Sequence, residues 1–162
     1  MRNTLNRTKF LEDSELAELK RSLDLSKRDD VIIALALETG GRASEILNIR
    51  KQDLFPNTNT VFIRAMKEGM DREIPIRPEL FAAALLHIPF MISYRRLDQI
   101  WQRRRPPNKK FHSLRHTFAV NLYKRTRDIK LVQLALGHRS PTNTAIYTDF
   151  IYNTEEMRKI LI

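Results

Sequence analysis

Cysteine is absent from the 162 residues, which rules out a disulfide framework and any thiolate-held metal. No apolar run approaches the roughly 20 residues needed to span a bilayer. The opening segment MRNTLNRTKF lacks the apolar core of a secretory signal. Internal repeats and low-complexity tracts are missing as well. Acidic residues are scarce beside basic ones: Asp+Glu total 19 against 29 Lys+Arg, for a formal net charge of +10 and a pI near 10.2. On a small domain that surplus favours a polyanionic partner, through counterion release and electrostatic steering. An anionic membrane surface would call for a long amphipathic, lysine-lined helix, and the sequence has none. Nucleic acid is the expected partner.

Hydrophobic residues make up 42% of the chain. That is enough for a packed interior in one domain, and the length is too short for two of ordinary size. A single domain over 1–162 is expected. Asp13 or Ser14 can cap a helix bearing Leu16, Leu19 and Leu23 at helical spacing. The polar turn SKRDD leads into an apolar helix from Val31 to about Glu38, closed by Gly40 and Gly41. A short helix over about 42–49 carries Ile46, Leu47 and Ile49. VFIRA (61–65) and REIPI (72–76) are rich in β-branched residues and flank KEGMD, so they predict a β-hairpin. Pro78 opens PELFAAALLHI as a helix with proline in its first turn. The basic helix YRRLDQIWQRRR follows and is stopped by Pro106 and Pro107. Helices are predicted over 112–125 and about 128–136, the second ended by Gly137, then a loop or short helix near 139–149 and an amphipathic EEMRKILI. The fold class is α+β: mostly α-helical with one small β-hairpin or sheet.

Several polar clusters stand out. On the helix at 112–125, His112 and Arg115 are three apart and share a face, while Leu114, Phe118 and Leu122 form a separate apolar stripe that anchors it. In GGRASEIL, Arg42 and Glu45 repeat the i, i+3 spacing just after a Gly-Gly turn. There a carboxylate can orient a guanidinium for bidentate contact with phosphate. Lys67 falls in the hairpin turn, His138 follows a helix-ending glycine in LGHRS, and Tyr147 lies nine residues further on. Read singly, each has an ordinary structural reading as an ion pair, a solvated turn lysine, a loop histidine or a half-buried aromatic.

Taken together and in order, GGRASEIL, Lys67 in a hairpin, HSLRH, LGHRS and Tyr147 resemble the catalytic domain of the tyrosine recombinase (phage-integrase-type) family, from about Phe10 to Tyr152. The resemblance implies that architecture, and it implies that Arg42 and Arg115 clamp a scissile phosphate. Lys67 would protonate the 5′-oxygen leaving group, and His112 would assist proton transfer at the tyrosine. His138 would hydrogen-bond a phosphate oxygen, Glu45 would support the arginine from behind, and Tyr147 would form a 3′-phosphotyrosyl link. His116, Tyr123 and Tyr152 match no catalytic position and are left as structural. Such chemistry needs no metal and no cofactor, because fixed guanidiniums stabilise the pentacovalent transition state and the covalent link conserves the bond.

The family usually carries a separate N-terminal helical domain that closes a clamp on DNA; with about ten residues before the first helix none is expected within this sequence, which reads either as a minimal recombinase or as an excised catalytic domain. Arg103, Arg104, Arg105, Lys109 and Lys110 are candidate phosphate contacts. Double-stranded DNA, self-association on that DNA, and a cytoplasmic setting without membrane complete the expectation. Two rivals stand beside it. One is a non-catalytic regulator occupying recombination sites, against which the intact Tyr147 argues. The other is a type IB topoisomerase-like activity.

Overall fold

Helix α2 (Arg28–Thr39) lies at the centre of the fold, and its sequence explains why. RDDVIIALALET is apolar around its whole circumference from Val31 to Leu37, so it is stable only where neighbours cover every side. Those neighbours are α3 (Ala43–Leu47), α4 (Pro78–His87) and α6 (His112–Thr126). The computed structural model describes residues 6–66, 68–150 and 154–162. Helix α2 starts at Arg28, a turn earlier than its apolar run, with Asp29 and Asp30 placed at its positive N-terminal end. Buried Asp30 also accepts a hydrogen bond from the Asp24 amide at 2.9 Å, which sets the preceding turn.

Helix α1 (Asp13–Ser22) buries Leu16 and Leu19. Its cap is Glu12, not Asp13 or Ser14: the Glu12 amide donates to Glu15 Oε2 at 2.8 Å. Three antiparallel strands follow in the order β1 (Leu54–Phe55), β2 (Thr60–Ile63), β3 (Arg72–Pro75). The predicted hairpin is β2–β3, with Val61 opposite Ile74 and Ile63 opposite Arg72. Strand alternation turns Arg72 and Ile74 to the same inner face, which puts a guanidinium indoors.

Helix α5 (Tyr94–Arg104) is capped by Ser93, whose Oγ accepts from the Arg96 amide. Helix α7 (Ile129–Leu136) is capped by Asp128. The short α8 (Thr142–Ala145), 3₁₀ turns at Arg7–Lys9, Lys51–Asp53 and Thr148–Phe150, and α9 (Thr154–Leu161) complete the described elements. α9 presents Met157, Ile160 and Leu161 to solvent, as does the terminal Ile162.

Two apolar clusters form the interior. The larger surrounds α2 and includes Leu80, Phe90, Trp101 and Leu114. The smaller joins Phe10, Ala119, Val120, Val132 and Leu136 around the ring of Tyr147. Two glycines end helices at the seam. Gly40 (φ 63°) caps α2 and Gly137 (φ 68°) caps α7, both left-handed. A Cβ at Gly40 would strike the Phe118 ring, and one at Gly137 would strike the Met70 carbonyl oxygen. Glycine is required at both, by conformation and by space.

Candidate active site

The site is assembled around Glu45, whose side chain is fully buried. Its carboxylate accepts from the Arg42 amide at 2.9 Å, closing the first turn of α3. It accepts from both terminal nitrogens of Arg72, at 3.1 and 2.8 Å, and lies 3.8 Å from Arg115 Nη1. Arg42 Nη1 makes a long hydrogen bond to it at 3.4 Å. Burial opposes ionisation of Glu45, but the hydrogen bonds and charge of Arg72, the Arg42 amide and the charge of Arg115 outweigh it, so its carboxyl is held below the usual range. The sequence places Glu45 behind Arg42; the structure makes Arg72 its principal partner. Arg72 also donates from Nε to the Ala135 carbonyl at 2.8 Å, tying the sheet to the end of α7.

Arg115 shows the same logic on a larger scale. Only 2% of it is exposed. Nη1 donates to the Gly40 carbonyl at 2.7 Å and Nη2 to the Leu136 carbonyl at 2.8 Å. These acceptors sit at the C-terminal ends of α2 and α7, where helix carbonyls lack internal partners and the dipole is negative. Burial, then the charges of Arg42 and Arg72, push its pKa down to about 9, so it remains a cation at neutral pH. Arg42, by contrast, keeps 35% of its side chain open to solvent.

Tyr147 lies against this cluster, 2% exposed. Burial raises its pKa to about 12 against the opposing pull of Arg115 and Arg42, so the phenol is protonated at rest. Its hydroxyl meets Nδ1 of His116 at 2.9 Å. The nearest histidine partner is therefore His116 and not His112, whose ring instead packs edge-on against His116 with centroids 4.7 Å apart. His138 is buried and bonds through Nδ1 to Thr144 Oγ1 on α8 at 2.9 Å. Desolvation, followed by the guanidiniums of Arg115 and Arg42, lowers the pKa of both His112 and His138 to about 4. His112 is exposed at the rim, so for it the neighbouring cations are the firmer cause. Both rings are neutral at pH 7.

Lys67 lies outside the described residues. The loop on either side is pinned: the Ala65 amide donates to Asp71 Oδ1 at 2.7 Å, the Met70 amide to the Gly137 carbonyl at 2.9 Å and Arg139 Nε to the Gly69 carbonyl at 3.3 Å. A Cβ on Gly69 would come within 3.6 Å of Arg42 Nη1, so this loop runs beside the arginine.

The basic stretch divides. Lys109 is corrected outright: 6% exposed, its ammonium donates to the Thr8 and Phe10 carbonyls at 3.0 and 2.8 Å, and its carbonyl accepts from Trp101 Nε1. It holds the N-terminal segment and is not a surface cation. Arg104 is similarly engaged, its Nη2 bonded to both oxygens of Asp30 at 2.6 and 2.5 Å. Arg103, Arg105 and Lys110 are exposed. A crevice of about 470 Å³ lined by Lys27, Arg28, Asp29, Asp30 and Arg103 opens at the far end of α2, away from the arginine cluster. Among the described residues no group of three His, Asp or Glu could hold a metal ion.

Sequence reasoning missed Arg72 and His116. The first was legible, since period-2 alternation in REIPI puts Arg72 on the face of Ile74 and a buried arginine demands a carboxylate. The second lies one helical turn beyond His112, and only the tertiary fold brings Tyr147 to it.

The model of the phage integrase family matches residues 9–98 and 91–153. Tyrosine recombinase XerH of Campylobacter jejuni is 33% identical over 165 residues, covering 88% of this chain and 46% of its own length. Tyrosine recombinase XerA of Pyrococcus furiosus is 30% identical over 162 residues, 86% of this chain and 57% of the relative. The chain thus spans about half the length of the curated relatives it matches. Among solved structures, XerH site-specific recombinase bound to palindromic difH substrate superposes with a TM-score of 0.72 at 22% identity, covering 96% of this chain and 53% of that one. The catalytic domain of bacteriophage HP1 integrase gives 0.64 at 22% identity, covering 94% and 93%. In sequence and in fold, this chain belongs to the phage integrase family.

Proposed function

We propose that the chain breaks and rejoins duplex DNA as a site-specific recombinase, through a covalent 3′-phosphotyrosyl intermediate on Tyr147. One observation carries the reading. Arg42, His112, Arg115, His138 and Tyr147, drawn from separate segments, meet in one cationic cluster in which the tyrosine feels the charge of both arginines. A phosphodiester placed there receives donors that are fixed before it arrives, the arrangement that best stabilises charge building on its oxygens. Arg42 and Arg115 clamp the phosphate, and His138 donates to one of its oxygens. His112 takes part in moving the phenolic proton, and Lys67 protonates the leaving oxygen. The relatives' names, XerH bound to its difH substrate, and the Tn1549 transposon integrase in complex with transposon right end DNA support double-stranded DNA as substrate. Self-association on DNA belongs to the same proposal, with the exposed apolar face of α9 as its surface.

The test is covalent capture. Incubated with nicked duplexes of randomised sequence, the chain forms SDS-resistant adducts that persist in EDTA. Tyr147→Phe binds the same DNA and forms none. Adducts from the Phe variant, mapped to Tyr123 or Tyr152, would overturn the assignment, and an absolute need for a divalent ion in the chemical step would overturn the mechanism.

A further inference from the structure

We propose that His116 positions the nucleophile, its Nδ1 accepting the hydrogen bond of the Tyr147 hydroxyl and fixing that oxygen beside the arginine pair. The inference rests on the reading of Tyr147 as nucleophile. The contact is 2.9 Å, between rings whose centroids are 5.8 Å apart. His116 is well placed to act as a fixed point. It sits on the 15-residue α6, one residue from Arg115, whose guanidinium is bonded to the ends of two other helices. The edge-on ring of His112 packs against it. Tyr147, in contrast, follows a helix of only four residues.

The direction of the bond follows from the surroundings. The charged neighbours that act on the tyrosine oxygen are Arg115 and Arg42, which have donors and no acceptor. If Nδ1 carried the proton, the buried hydroxyl hydrogen would face only cations. With the proton on Nε2, Nδ1 accepts it.

Orientation and deprotonation are separate tasks, and the magnitudes assign His116 to the first. Desolvation, then His112 and Arg115, lower its pKa to about 3, while that of Tyr147 stands at about 12. The proton therefore stays on the tyrosine oxygen, because both shifts widen the ordinary gap between phenol and imidazole. In the resting protein His116 sets the position of a neutral phenol and leaves its proton in place.

Two measurements test this. The first uses the free protein: imidazole ¹⁵N spectra of the chain and of Tyr147→Phe. His116 is expected as the neutral Nε2–H tautomer, with an Nδ1 signal that moves when the hydroxyl is removed. An Nδ1–H tautomer, or nitrogen signals indifferent to Tyr147→Phe, overturns the proposal. The second uses the nicked duplexes of the capture assay. His116→Leu is expected to slow adduct formation by about 10²-fold, the scale of a reacting atom misplaced by an ångström, with DNA affinity unchanged. His116→Asn, whose amide oxygen reaches the Nδ1 position, recovers most of the rate. Wild-type rates in His116→Leu, or no recovery in a folded His116→Asn, overturn the role. If neither variant folds, the spectra of the chain and Tyr147→Phe decide. If the unaltered chain forms no adducts, the recombinase reading fails while the spectra still decide the hydrogen bond.

Discussion

Arg42 and Arg115 approach the same anionic target in very different ways. Arg115 is 2% exposed, and both of its terminal nitrogens are bonded to helix-end carbonyls. Arg42 keeps about a third of its side chain in solvent and, among the described residues, its head makes one long hydrogen bond, at 3.4 Å, to a carboxylate that Arg72 holds more tightly. The first is part of the scaffold and its orientation is set by the fold. The second is anchored at its backbone, through the Glu45 hydrogen bond to its amide, while its head is left free to meet a ligand. A phosphate clamp made this way has one rigid jaw and one adaptable jaw.

Breaking the rigid jaw has the largest expected consequence. Arg115→Ala takes a neighbouring charge from Glu45 and leaves the buried Gly40 and Leu136 carbonyls without their donor, each unsatisfied group costing about 1–3 kcal/mol. Urea denaturation should show that loss, and Arg115→Lys should recover little of it, because one ammonium cannot reproduce the planar fork that reaches both carbonyls. Arg42→Ala should do the reverse. Its effect on unfolding should stay within about 1 kcal/mol, as for other partly exposed ion pairs, while adduct formation slows by about 10²–10³-fold. Equal stability losses in the two variants would erase the distinction between the jaws.

Acid sharpens it next. His138 and His116 titrate near 4 and 3 in the folded chain, against an ordinary value of about 6.5 when unfolded. Between those values the unfolded chain binds more protons, so the stability these neutral rings contribute is complete above about 6.5 and is lost as pH falls toward 4. The slope approaches at most about 1.4 kcal/mol per pH unit for each fully shifted ring. Urea midpoints measured from pH 7 down to 5 should fall steadily, and His138→Gln should flatten part of that fall.

The smallest effect concerns the basic stretch. Neutralising exposed Arg103, Arg105 or Lys110 should lower the salt dependence of DNA binding by about one unit of slope for each phosphate that the variant no longer neutralises. Lys109→Met should leave that slope alone and loosen the N-terminal segment, which anisotropy across a salt series and limited proteolysis would separate.

Most of the helices and the hairpin were legible because their cues are local: periodicity in Leu16 and Leu19, Pro78 at a first turn, glycines at 40 and 137, β-branched runs at 61–65 and 72–76. What escaped was either too short or not local. Strand β1 is two residues and is defined by its pairing to Val61 and Thr60. The early start of α2 depends on Asp30 being taken inside by Arg104, some seventy residues away. Lys109 reads as one more surface cation until the chain start crosses it and supplies two carbonyls. In the site, the i, i+3 pairs on α3 and α6 were visible, whereas the weight of Glu45 on Arg72 and the meeting of His116 with Tyr147 belong to tertiary structure.

The Tyr147 ring is also a member of the smaller apolar cluster, with Phe10, Ala119, Val120, Val132 and Leu136. A side chain that serves as reagent and as packing at once makes local stability report on its position. Drawing the ring out toward a bound phosphate would expose an aromatic face worth about 1.5–3 kcal/mol and thin the packing between α6 and α7. The backbone amides of Ala119, Val120 and Val132 would then exchange hydrogen faster, with no change at Ile32 or Leu35 in the main core. The state of the nucleophile is thereby readable in solvent exchange at residues that never touch the ligand.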